Sequence, residues 1–317
     1  MCKRLLYLIP AIAALAFAGI GVQSYLRGIL APAHDPQAMT LNYERIGHGP
    51  TKVVLLHGLT GSLQYWKKGL EYAPDDYSLL LIDLLGFGDS PKPNARYDVA
   101  EHVGAIEKVL RIEGFDSGDA FVVGHSLGAI LAIGLVGEHS EWFEGLVVIG
   151  LPNFVDEEEI KDTFARISLW NQLSVDSSYQ FVCYFHPLYM TEWFRPDNVP
   201  KDIFDEAKKH TWVSYYRSLD EVIVNTDLRS LVSKVQDKRI LLIHGDKDAA
   251  APVENVIALL PIFRSAIFER LEGKDHQVFL SDPAKIWALI DDFAAPENRN
   301  FSDMTVNLSD TNGSAPE

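Results

Sequence analysis

Apolar residues in this chain fall into short unbroken runs separated by stretches of helical period. Runs at 52–56, 78–82, 121–123, 146–149 and 239–243 are hydrophobic throughout, save for Lys52, Ser78 and Arg239 at their starts, the pattern of strands buried on both faces of a parallel sheet. A mixed run at 40–46 reads as an edge strand, and 266–271 as the last strand. Between them lie helical patterns. Asp98 and Glu101 make a capping box for a helix that buries Val103, Ile106 and Leu110 and stops at Gly114. A helix follows the run at 121–123 and continues to about Glu138, another covers 254–260, and Ser281-Asp282-Pro283 opens the final one. The alternation predicts an α/β fold with a mostly parallel, doubly wound sheet.

The alternation breaks at 151–233, a stretch dense in aromatic residues from Phe154 to Tyr216 that reads as helices and loops inserted into the sheet order. The chain therefore divides into an N-terminal segment (1–30), a first core part (31–150), the insertion (151–233), a second core part (234–295) and a polar tail without periodicity (296–317), expected to be disordered. In the N-terminal segment, Lys3 and Arg4 precede an uncharged run from Leu5 to Val22. Its length and flanking charges predict a membrane anchor with the body on the non-cytoplasmic side. The alternative is export after cleavage behind Ala18 or Ala33, leaving a secreted or periplasmic body; the anchor reading makes a membrane the partner of the N-terminal segment, and both export the body.

Charge narrows the partners. The formal net charge is −16, and the three cations Lys3, Arg4 and Arg27 are the only charges in 1–30, so the body is more acidic still. Such a body repels phosphate backbones, which argues against nucleic acid binding. Cys2 and Cys183 are the only cysteines, without metal-ligand spacing, and no phosphate cradle or metal box is present, so no cofactor or metal is expected. The Asn-x-Ser sequons at Asn300, Asn307 and Asn312 all fall in the tail.

One stretch carries chemistry. Phe121-Val122-Val123 drives into Gly124-His125-Ser126-Leu127-Gly128 and then a small-residue helix, the strand–turn–helix context that a nucleophile elbow requires. A serine hydroxyl is a weak nucleophile at neutral pH and needs a base, which needs an orienting acid. His57, His125 and His244 end buried strands, where imidazoles brace loops by hydrogen bonds. His276 lies in the loop after the last strand, and Asp248 in the turn after the strand before it. Reactive groups in open α/β sheets gather at the carboxyl ends of strands, and the order Ser126, Asp248, His276 is the one expected there.

With these motifs, together with His57-Gly58 and the turn from Asp83 to Ser90, the chain resembles the α/β-hydrolase superfamily over residues 40–295 outside the insertion. The resemblance implies a triad in which Ser126 is nucleophile, His276 base and then acid, and Asp248 the residue that holds the imidazole tautomer. It also implies an oxyanion hole made by the backbone N–H groups of Leu127 and Leu59. Asp246 is the rival acid, and Asp248 is preferred for its match to the family spacing. Asp275 stands where relatives often carry glycine and should raise the pKa of His276 if it points inward. Leu85 stands where many carry arginine. A serine at the elbow excludes the branches that use an aspartate nucleophile. The insertion occupies the position of the family's cap domain, and some of its aromatics, with Trp66, are expected to line an acyl pocket while most form the cap's own core. The implied activity is hydrolysis of small hydrophobic carboxylic esters, lipid-derived ones included, through an acyl-enzyme. Hydrolysis of amides or carbon–carbon bonds by the same triad is the alternative, and a non-enzymatic binding protein on the same fold is the third reading.

Overall fold

A computed structural model describes residues 2–154, 156–167, 169–263 and 266–295; side chains before Ala14 and the expected tail lie outside the described residues. Seven strands form one sheet: β1 (Tyr43–Ile46), β2 (Thr51–Leu56), β3 (Tyr77–Ile82), β4 (Ala120–His125), β5 (Phe143–Ile149), β6 (Arg239–Gly245) and β7 (Ala266–Leu271). Their spatial order is β1-β3-β2-β4-β5-β6-β7, with β1 antiparallel to β3 and all other pairs parallel. The order reverses at β2, so the chain winds first to one side and then to the other.

The unbroken apolar runs are explained by which face each residue meets. Val54, Leu56, Val122, Leu146, Val148 and Leu242 point into one core, against the helices Val99–Glu113 and Leu127–Glu138. Their alternates Val53, Leu55, Phe121, Val123, Val147 and Leu241 point into a second core, closed by Ile286, Trp287 and Ile290 of the final helix Pro283–Ala294. Each such side chain removed from water contributes roughly 1.5–3 kcal/mol. The helix Leu127–Glu138 is buried from Leu127 to Val136, which is why its sequence shows no polar face.

Cap chemistry is as the sequence requires, with one local difference. Asp98 Oδ1 accepts from the Glu101 N–H (2.9 Å), and Gly114 closes the helix in the left-handed region (φ 71°). The Glu101 carboxylate reaches back one residue further than a capping box, to the N–H of Tyr97 (2.8 Å), a residue itself at φ 61°. Among the described residues of 151–233 there is no strand, only short helices such as Glu157–Ile167, Lys201–Ala207 and Trp212–Ser218.

The N-terminal segment requires a correction. Cys2–Ile29 is one helix, but among the described residues no helix is long and apolar enough to cross a membrane. One side of its second half packs on protein, while Leu15, Val22 and Leu26 stay exposed. Phe17 stacks on Phe185 (4.5 Å between ring centroids), Tyr25 stacks on Trp212 (5.7 Å), and the Trp212 indole N–H donates to the Tyr25 carbonyl (3.2 Å). Asn94 then ties the helix end to the core, donating to the Ile29 carbonyl (3.1 Å). The expectation of a membrane partner, and of a body anchored beyond a membrane or exported after cleavage, therefore loses its support.

Candidate active site

The elbow is built by close approach. Ser126 has φ 55° and ψ −120°, a conformation that strains any residue with a side chain. It is held there by its N–H donating to the Ile149 carbonyl (2.9 Å) and by its own carbonyl accepting from Ala129 N–H (2.9 Å). A Cβ on Gly124 would collide with the Gly128 carbonyl, and one on Gly128 would lie 2.5 Å from the Leu56 and His57 carbonyl oxygens. Those contacts are with backbone, so neither can be relieved by a rotamer change. Gly124→Ala is therefore expected to destabilise the fold by about 1–3 kcal/mol, read as a lower urea midpoint with an unchanged denaturant slope.

Ser126 is 7 % exposed and stands at the start of the helix Leu127–Glu138. The Leu127 N–H belongs to the first turn, where helix donors have no intrahelical acceptor. The loop carrying Leu59 comes alongside: a Cβ on Gly58 would be 3.0 Å from Ser126 Cβ. That loop is shaped by a turn, with Gly61 N–H to the Gly58 carbonyl (3.0 Å) and Thr60 at φ 60°. His57 braces it. Its Nε2 accepts from Leu84 N–H (3.0 Å), so Nδ1 carries the proton donated to the Gly58 carbonyl (2.8 Å), and burial keeps the ring neutral.

At the next strand ends Asp248 and His276 meet. His276 Nδ1 donates to Asp248 Oδ2 at 2.7 Å. The other oxygen, Oδ1, accepts from the N–H groups of Ala250 (2.9 Å) and Ala251 (2.7 Å), so both carboxylate oxygens are satisfied. Burial alone would raise the Asp248 pKa, but His276, then His244 and the Ala251 N–H, outweigh it and hold the carboxyl below its ordinary value. Burial alone would lower the His276 pKa, but Asp248 and then Asp275 outweigh it, so the imidazole sits above its ordinary value.

Asp246 has other work. Its Oδ1 accepts from Gly273 N–H (2.7 Å) and closes the turn that launches the His276 loop. Asp275 faces two ways: Oδ1 accepts from Gln277 N–H (2.8 Å), and Oδ2 accepts from Asn198 of the insertion (2.6 Å). Asn198 carries no signal in the sequence, because nothing in a helix–loop pattern tells which turn of an insertion will reach a particular loop. Trp66 lies in the second core. It is fully buried and packs edge-on against Phe279 (4.8 Å). Leu85 is buried as well. Most described aromatics of the insertion that make ring contacts do so with one another or with the N-terminal helix, as Tyr184 does with Trp212 (4.8 Å) and Tyr25 (5.1 Å).

Among the described residues one cluster offers three metal-ligand atoms within 4.8 Å: Glu107, Glu138 and His139. It lies at the far end of the elbow helix, and His139 Nε2 is already within 2.7 Å of the Glu107 carboxylate.

Known proteins share this arrangement of chain. A probable lysophospholipase of Arabidopsis thaliana, BODYGUARD 4, is 29 % identical over 260 residues, which cover 72 % of this chain and 60 % of that protein. BODYGUARD 5 of the same plant is 28 % identical over 279 residues, covering 74 % and 62 %. The chain thus spans only about 60 % of the length of these relatives. Among solved structures, an esterase from Exiguobacterium antarcticum superposes with a TM-score of 0.64 at 19 % identity, over 80 % of this chain and 95 % of that one, a likeness of fold alone. The model of the alpha/beta hydrolase family matches residues 53–289, nearly the whole sheet together with Ser126, Asp248 and His276, and the chain belongs to that family.

Proposed function

We propose that the chain is a serine hydrolase of hydrophobic carboxylic esters, with single-chain lipid esters among its substrates. The observation that carries this is the 2.7 Å hydrogen bond from His276 Nδ1 to Asp248. It fixes the proton on Nδ1 and leaves Nε2 with a lone pair, the tautomer a general base needs. Ser126 Oγ attacks the ester carbonyl as His276 Nε2 takes its proton. The tetrahedral oxyanion is met by the N–H groups of Leu127 and Leu59, each donor of this kind being worth ~3 kcal/mol of transition-state stabilisation. His276 then gives the proton to the departing alcohol. Water, deprotonated by His276, releases the acid from Ser126.

In this reading 31–150 and 234–295 form the hydrolase core, and 151–233 is a cap over the strand ends that sets acyl preference. The names of the plant relatives support a lipid-derived ester, and the acidic net charge of −16 favours substrates that are neutral or zwitterionic over polyanions. The test is a panel of p-nitrophenyl esters from acetate to palmitate, one lysophosphatidylcholine, and matched anilides. Ester turnover that rises with chain length to a medium-chain optimum, with anilides at least about 100-fold slower, is expected. Cleavage of the anilides at rates equal to the esters, or no ester turnover at all, would overturn the ester reading.

A further inference from the structure

One buried imidazole beside the site has no part in the proton transfers above. His125 ends β4 immediately before Ser126 and is 2 % exposed. Its Nε2 lies 2.8 Å from the carbonyl oxygen of His276. A carbonyl only accepts, so Nε2 carries the proton and points it at the main chain of the base. Burial, followed by the neighbouring His276, pushes the ring's pKa down to about 3, so this donor stays neutral and keeps one tautomer throughout the working pH range.

The surroundings are shaped to hold that ring. It stacks on Tyr65 (4.9 Å between centroids, 15° between planes) and lies 4.8 Å from the His276 ring. A Cβ on Gly58 at the end of β2 would come within 3.0 Å of Nδ1. One on Gly150 at the end of β5 would come within 3.5 Å of Nε2 and 3.4 Å of His276 Nδ1. Gly58, just past β2, thus leaves the room that the His125 ring occupies, and Gly150, just past β5, stands in van der Waals contact with the imidazole pair.

The loop before His276 is tied to the turn after β6 through the Lys247 N–H to the Lys274 carbonyl (2.8 Å) and through Asp246 to Gly273. At His276 itself the side chain is tied to Asp248 and the main chain to His125. A ring held only through Nδ1 can pivot about that bond. Fixing the carbonyl as well removes the pivot, and it does so from the residue next to the nucleophile. The distance from Ser126 to the base is then set by one peptide step and one hydrogen bond.

We propose that His125 is a positioning residue for His276: its Nε2–H grips the His276 carbonyl and registers the base against Ser126, a role that presupposes the serine chemistry proposed above. A displacement of about 1 Å at such a pair costs on the order of 100-fold in rate. His125→Phe keeps a ring against Tyr65 but loses the donor. Its kcat for a p-nitrophenyl ester is expected to fall about 10- to 100-fold with KM within about twofold. His125→Gln places an amide N–H near the original Nε2 and is expected to restore kcat to within about fivefold of wild type, whereas His125→Asn, too short to reach, should behave like the phenylalanine variant. A rescue confined to glutamine is not what a purely structural role gives, since that would follow thermal stability across the three variants. Wild-type kcat in a folded His125→Phe protein overturns the proposal, and if that variant does not fold, equal kcat in the glutamine and asparagine variants does so. Labelling by a fluorophosphonate probe keeps the two levels apart. If Ser126→Ala abolishes the label but the His125 variants are fully active, only the positioning role fails; if the Ser126→Ala protein still labels, the serine mechanism beneath it fails too.

Discussion

Ser126→Ala is expected to lower kcat for ester hydrolysis by about 10⁴- to 10⁶-fold, with KM changed little and with fluorophosphonate labelling lost. The hydroxyl is the atom that becomes acylated, so its removal leaves only what binding and the oxyanion donors contribute without a covalent step. The fold should not suffer. Alanine at this position inherits the same backbone geometry, φ 55° and ψ −120°, and the same hydrogen bond from its N–H to Ile149. Ser126→Gly sharpens the comparison, because glycine adopts this region without a Cβ clash. It should be equally inactive yet more stable than wild type by about 1 kcal/mol, which would make the strain at the elbow visible as a stability gain obtained at the expense of function. A kcat within tenfold of wild type in the alanine variant, or a probe adduct mapped to another residue, would remove Ser126 from the mechanism.

Much of this arrangement was legible because local signals and the global fold agree. Val53-Val54-Leu55-Leu56 reads as a strand buried on both faces, and the sheet places its alternate residues in two cores. Asp98 and Gly114 bound their helix because capping is a local contest between backbone groups and near neighbours. The elbow reads from sequence for the same reason: Gly124 and Gly128 are needed by contacts within a few residues and to the adjacent strand. What sequence could not supply were meetings between segments far apart in the chain. Nothing near Asp275 announces Asn198, 77 positions away, and nothing near His125 announces Tyr65. Nearness in sequence to the Leu59 loop likewise did not announce that Trp66 would be fully buried against Phe279.

The N-terminal helix shows where hydropathy itself is blind. A run such as Leu5 to Val22 reports that apolar surface must leave water, not what will cover it. Part of that surface, at Phe17 and Tyr25, is covered by Phe185, Tyr184 and Trp212, residues that sequence reading assigned to the interior of a cap. Helix and insertion therefore share one set of aromatics, and neither could be interpreted without the other.

Asp248→Asn should separate the orientation of the base from its charge. Asp248 Oδ1 accepts two backbone N–H groups, from Ala250 and Ala251, while Oδ2 faces His276 Nδ1. Asparagine can satisfy the two backbone donors only with its carbonyl oxygen, which turns its NH₂ toward His276. Nδ1 must then accept, the ring proton moves to Nε2, and the atom that should receive the Ser126 proton already has one. A loss of about 10⁴-fold in kcat follows from this wrong tautomer. The pH profile supplies the sign of the charge effect. A general base acts when neutral, so activity rises with pH through the pKa of His276, which Asp248 and Asp275 hold above its ordinary value against the effect of burial. Removing the Asp248 charge leaves burial in place, so the acidic limb of the residual activity should shift to lower pH. Asp275→Asn removes a charge without touching the tautomer: its acidic limb should also move down, while its rate at high pH stays within a few-fold of wild type. Asp246→Asn completes the series, because an asparagine oxygen can still accept from Gly273 N–H, and it should stay close to wild type. If Asp246→Asn lost as much activity as Asp248→Asn, or if Asp248→Asn lost only as much as Asp275→Asn, Asp248 would not be the residue that orients the base.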